Sequence, residues 1–192
     1  MLARYEGIHI VAFGIEGERT ELARLRAAGV PIADIAWLER PIARGDCSGT
    51  ARFARLPLPE APEGKLQLIR HLTPELLWRP EHLEHSNRVV ALEEVVFAVA
   101  DPSETLARLQ RLTGVPAEDG TLSLPRGRVR VVEEQPFPGV IPPTLPFIAG
   151  VVLRTEDGGA AIRRLAAGLG RETAEGFLVP PEAGGGASLL FV

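Results

Sequence analysis

The chain has 192 residues, a formal net charge of −4, and 45% hydrophobic and 24% charged residues. That suits one large globular domain or two small ones with a sizeable core. Lys65 is the only lysine and no basic run breaks the pattern, so the counterion release behind nucleic-acid binding has no footing.

At the N-terminus, MLARYEGIHIVAF lacks the basic start and long apolar stretch of a signal peptide. No apolar run approaches the roughly 20 residues that span a bilayer. Together with a single cysteine, which excludes an intrachain disulfide, this points to a cytoplasmic protein with no membrane partner. The apolar run from His9 reads as a strand. Glu16 is placed to complement a helix start, Leu22 and Leu25 give that helix an apolar face, and Gly29 closes it. Strands follow at 35–40, 51–57 and 65–71, with the Pro-rich PLPEAPEG (57–64) as a turn. Cys47, in the glycine-flanked GDCSG, reads as a spectator thiol on a loop, because only Arg44 is near enough to activate it.

Residues 70–88, RHLTPELLWRPEHLEHSNR, hold three of the four histidines (His71, His82, His85), Trp78 and the only asparagine, Asn87. Arg70 and His71 end a strand, where they either meet an anionic substrate or are simply solvated. Thr73 and Pro74 read as an N-cap and a first helical position. Trp78 serves either packing or substrate stacking. His82 and His85 share one face of a helical turn, but no third ligand and no HExxH spacing accompany them. His85 and Asn87 read either as a hydrogen-bonded pair at a pocket mouth or as a capped helix end.

A second strand–helix pattern starts at Glu94, with Asp101 at the helix start, Leu106 to Leu109 on the apolar face and Gly114 at the close. Strands follow at 120–125 and 128–134. The Pro-rich QPFPGVIPPTLP (135–146) is a crossover. A third pattern starts at Gly150, with Asp157, Ile162 to Leu165 and Gly170, then strands at 176–180 and 187–192. The PPEAGGG between them (180–186) is a hairpin loop rather than a phosphate loop, since no helix follows it.

The three patterns share a spacing: an acid seven positions after the start and a glycine twenty positions after it. The reading is an α+β chain built on an internal repeat of βαβββ units, forming curved, mostly antiparallel mixed sheets. The first unit spans 1–72, a connector with short helices spans 73–89, and the second (90–135) and third (146–192) units pair across 90–192.

This arrangement resembles the vicinal oxygen chelate superfamily, which includes glyoxalase I, extradiol dioxygenases and bleomycin-resistance proteins. The carriers are Ile8-His9 with Glu16, Glu93-Glu94 with Asp101, and HLTPELLWRPEHLEHSN, which is similar to the joining segment of glyoxalase-like proteins. The resemblance implies that paired units curl into a cup and that first and last strands supply ligands for a divalent metal. Residue by residue, His9 and Glu94 fall at first-strand ligand positions, and Gly150 supplies no side chain at the third. Last strands offer Gln67 or His71, Glu133 or Glu134, and nothing in ASLLFV. A complete metal set is therefore not expected. The leading expectation is a cup that binds a small organic molecule through His9, Arg70, His71, Trp78, His85 and Asn87. The rival is a divalent-metal-dependent lyase, isomerase or dioxygenase using His9 and Glu94. With three units, one is left without a mate, so a homodimer that completes the first unit is a further expectation.

Overall fold

The computed structural model describes residues 5–44 and 47–192. Met1–Arg4, at the start of the N-terminal segment, lie outside the described residues, as do Gly45 and Asp46 of the GDCSG segment and the Cys47 side chain. The chain divides into two bodies, one of residues 10–61 and 65–84, the other of the stretch up to His9, residues 62–64 and residues 85–192.

In the first body, β1 (Ile10–Gly14), α1 (Glu18–Ala27), β2 (Ala36–Arg44), β3 (Cys47–Pro57) and β4 (Lys65–His71) follow the order read from the sequence. The strands form one sheet, β1-β4-β3-β2, in which β1 runs parallel to β4. Alternation sets its two faces. Val11, Phe13, Ala54, Leu56, Leu66 and Leu68 are buried on the side of α1, whose Leu25 is also buried. The register puts Ile10, Ala12, Leu38, Phe53, Arg55, Gln67, Ile69 and His71 on the opposite face. There Ile10 remains 53% exposed and Leu38 38% exposed. A 3-10 turn at Pro74–Leu76 and a one-turn helix α2 (Pro80–Leu83) follow β4.

The second body carries β5 (Val89–Ala98), α3 (Pro102–Thr113), β6 (Ala117–Glu118), β7 (Thr121–Leu124), β8 (Gly127–Val132), β9 (Phe147–Thr155), α4 (Ala160–Leu165), β10 (Arg171–Glu172), β11 (Phe177–Val179) and β12 (Ser188–Phe191). One eight-stranded sheet results, β10-β11-β12-β9-β5-β8-β7-β6. Its centre is the antiparallel pair β5–β9, and each of these strands is flanked by a parallel neighbour, β8 and β12 respectively. Gly150 allows β9 and β12 to meet, because any Cβ there would come within 2.1 Å of the Ser188 carbonyl oxygen. Phe137 and Val140, from the Pro-rich crossover, are buried with Val96, Ala98, Phe147, Ala149, Val152, Leu178, Leu190 and Tyr5. The crossover is thus a core element that fills space against the sheet.

Helix starts differ from expectation in one unit. Asp101 caps α3 by accepting from the Glu104 N–H at 2.9 Å. Asp157 accepts from the N–H groups of Gly159 and Ala161 at 3.1 and 2.7 Å ahead of α4. In the first unit the N-cap is Gly17, with no side-chain cap, so Glu16 stands one residue too early. Gly29 and Gly114 adopt the left-handed conformation that closes a helix, at φ +72° and +74°. Gly170 does not close the third helix, since α4 ends at Leu165 with Ala166 as its C-cap. Among the described residues no helix is long and apolar enough to cross a membrane.

Candidate functional site

The open face of the first sheet gathers several chemistry-bearing side chains. His71 pairs with Phe53 across β4 and β3, and their rings meet edge to face at 5.1 Å between centroids. Trp78 lies with its ring centroid 6.0 Å from that of His71, tilted by 33°, and is 55% exposed. The connector is held over this end of the sheet by backbone. Leu72 donates to the Arg52 carbonyl at 2.9 Å, and the Arg52 N–H donates to the Thr73 hydroxyl at 2.9 Å. Thr73 therefore does not cap the turn that follows. Its oxygen satisfies a strand N–H beyond the last residue of β4. Leu76 packs over Gly49, where an added Cβ would meet its methyl at 3.1 Å.

Arg70 alternates to the helix side, where it donates to Glu18 at 2.7 Å. That hydrogen bond, with a further one from backbone, holds the Glu18 carboxyl below the usual carboxylate range. His9 belongs to the second body, stacked on Tyr5 with centroids 4.3 Å apart. Its buried Nε2 finds no hydrogen-bond partner among the described residues. The Tyr5 hydroxyl donates toward the carbonyls of Ile8 and Glu63, at 2.8 and 3.0 Å. Asn87 accepts from the Val89 N–H at 3.2 Å and turns the chain into β5, and the His85 carbonyl accepts from Arg88 in the same turn. So of the residues predicted for binding, His71 and Trp78 come together. Arg70 lies on the sheet's other face, and His9, His85 and Asn87 belong to the other body.

Sequence reasoning missed Arg55, which lies between Phe53 and Pro57 on β3. It also missed the arginines facing Glu94. Glu94 is 6% exposed and accepts from Arg130 at 2.7 Å, with Arg128 at 3.5 Å, while the neighbouring Glu93 is bound by Arg154. These groups line an open cleft of about 650 Å³ floored by Val152 and Leu190. A smaller cleft of about 500 Å³ lies between α1 and Trp37.

The donor set does not suit the divalent metal implied by the resemblance. A cation needs several anionic or neutral donors converging on one point. Glu94 instead faces guanidinium groups on β8, the strand expected to supply a second ligand. The orphaned His9 nitrogen is a single donor. No group of three or more His, Cys, Asp or Glu side chains converges among the described residues.

Comparison with known proteins gives a consistent picture. Residues 1–113 match a family described as "Glyoxalase-like domain". A hypothetical protein from Staphylococcus aureus is similar in structure, with a TM-score of 0.61 and 12% identity over 93% of this chain and 63% of that one. The Mn(II)-bound glyoxalase from Novosphingobium aromaticivorans has a TM-score of 0.51 and 16% identity, over 96% of this chain and 62% of that one. The chain thus spans less than two thirds of the length of either. No curated protein sequence matches it.

Proposed function

The chain belongs to the glyoxalase-like domain family of the vicinal oxygen chelate superfamily, and from that premise we propose that it binds a small organic molecule on the open face of its first sheet. The observation that carries this reading is the cluster of Phe53, His71 and Trp78 at the sheet face opposite α1, with the connector folded over one end. Flat rings offer stacking surface, and the imidazole offers a donor or acceptor beside them. Binding here needs no metal, because the side chains of the face supply the contacts. The Mn(II) of the Novosphingobium glyoxalase belongs to a protein of which this chain spans 62%.

The test uses chelator-treated protein carrying Trp37→Phe, so that fluorescence reports Trp78. Small aromatic compounds should give saturable changes, and His71→Ala should weaken them about fivefold, the scale of one aromatic pair. Binding that appears only on adding a divalent cation, or that His71→Ala leaves unchanged, overturns the reading.

A second proposal concerns assembly. β1 has no ladder partner on its outer edge among the described residues, and bare edges invite pairing. The first strands β5 and β9 pair with each other within the chain. A second copy pairing through β1 would form the same kind of sheet and make a homodimer.

A further inference from the structure

We propose that the open face of the first sheet binds an organic anion, with the Arg55 guanidinium as its seat. This rests on the small-molecule reading above and names the class of ligand.

Charge on the two faces of the sheet is arranged differently. On the helix side, Arg52 is bridged to Glu39 at 3.1 Å and Arg70 to Glu18 at 2.7 Å. The register puts Arg40, Arg55 and Lys65 on the open face. None of the three forms a salt bridge among the described residues, and no described position of that face holds Asp or Glu. The connector's Glu75 neighbours Leu76, which packs at Gly49, six residues along β3 from Arg55. In a chain of net charge −4, a cationic face without acids marks an anion-binding surface.

Arg55 is the best placed of the three cations. Its Nε is buried and has no hydrogen-bond partner among the described residues. A buried donor on a charged group left without an acceptor is costly, so such groups are normally matched. The guanidinium fork suits a carboxylate or phosphate, which accepts two parallel hydrogen bonds from it. Phe53 stands two residues along the same strand, roughly 7 Å away, with His71 beside it. A ligand with its anionic group on Arg55 and a flat apolar body over Phe53 and His71 matches that spacing.

Other occupants fit less well. The cleft of the second body also holds arginines, but Arg130 and Arg128 face Glu94, and Arg154 faces Glu93. A second copy laid face to face would set Arg40, Arg55 and Lys65 against their own copies, an unfavourable like-charge contact.

Calorimetric titration with benzoate and with its neutral isostere benzamide tests the proposal. Benzoate should bind saturably, at least about tenfold tighter than benzamide, the scale of a charge-assisted pair. Added salt should weaken benzoate and leave benzamide unchanged. Arg55→Gln should remove the preference for benzoate, and Arg55→Lys should keep part of it. The salt series on the unaltered protein remains decisive even if a variant misfolds. Equal binding of the two probes, or an unchanged benzoate affinity in Arg55→Gln, overturns the anion proposal and leaves the small-molecule reading standing. Failure of both probes to bind overturns both. A change confined to the sedimentation mass of Arg55→Gln assigns the face to self-association and also overturns the proposal.

Discussion

Glu63 is fully buried, and its two oxygens accept from the Arg108 guanidinium at 2.9 and 3.0 Å. Burial disfavours the Arg108 charge, but the hydrogen bonds and charges of Glu63 and Glu104 together offset it and raise the Arg108 pKa above its ordinary value. The pair ties the turn at Pro62–Gly64 to α3 within one body. Removing one partner of such a pair leaves an uncompensated buried charge. Arg108→Met is therefore expected to cost roughly 3–5 kcal/mol, read from urea unfolding. A loss within a few tenths of that of a surface substitution would show that water or another group reaches Glu63. The double variant Glu63→Leu/Arg108→Met should recover much of the loss, since an apolar pair avoids the desolvation penalty. Nothing in the local sequence pointed to this pair, because its members lie 45 residues apart, one in a Pro-rich turn and one on a helix. Arg55 was hidden for a related reason. A strand written A-R-F-A-R-L-P places its arginines on opposite faces by alternation, but only the neighbouring strands show which face α1 covers and that Arg55 meets no acid among the described residues.

At the scale of elements, the acid-to-glycine spacing located the three helices and both caps of α3, but missed the N-cap of α1 and the end of α4. A cap depends on one residue's position, and in the first unit that position holds Gly17, one residue past Glu16. This gives a contrast between chemically similar substitutions. Asp101→Ala removes an acceptor from the Glu104 N–H and should cost about 1 kcal/mol. Glu16→Ala, one residue outside its helix, should cost no more than a few tenths of that. Urea unfolding of both variants checks it, and equal losses would mean that Glu16 acts through something other than the start of α1. The connector was legible as a place and not as a mechanism. Its threonine satisfies a strand N–H, its asparagine builds a turn, and its Trp78 reaches His71 of β4. The partner of Thr73 is contributed by a distant strand, which local periodicity does not report.

On the scale of the whole molecule, strand pairing repeats at two levels. Each first strand lies parallel to the fourth strand of its own set, as β1 with β4, β5 with β8 and β9 with β12. The first strands β5 and β9 then join two such sets into eight strands. Among the described residues β1 is the first strand without this second kind of partner. If a second copy supplies it, sedimentation should give about twice the 20.7 kDa chain mass. Ile10 starts β1 on the open face and is 53% exposed, so Ile10→Lys should leave each chain folded. In the dimer the same lysine would sit beside the paired edges, where added charge opposes strand association, and the dimer should weaken by about tenfold or more. A sedimentation series on both proteins, with circular dichroism to verify folding, separates the outcomes. A monomer at every concentration, or a dimer indifferent to Ile10→Lys, would place self-association elsewhere or remove it. A dimer that Ile10→Lys dissociates while benzoate binding persists would assign the strand edge to assembly and the Arg55 face to ligand.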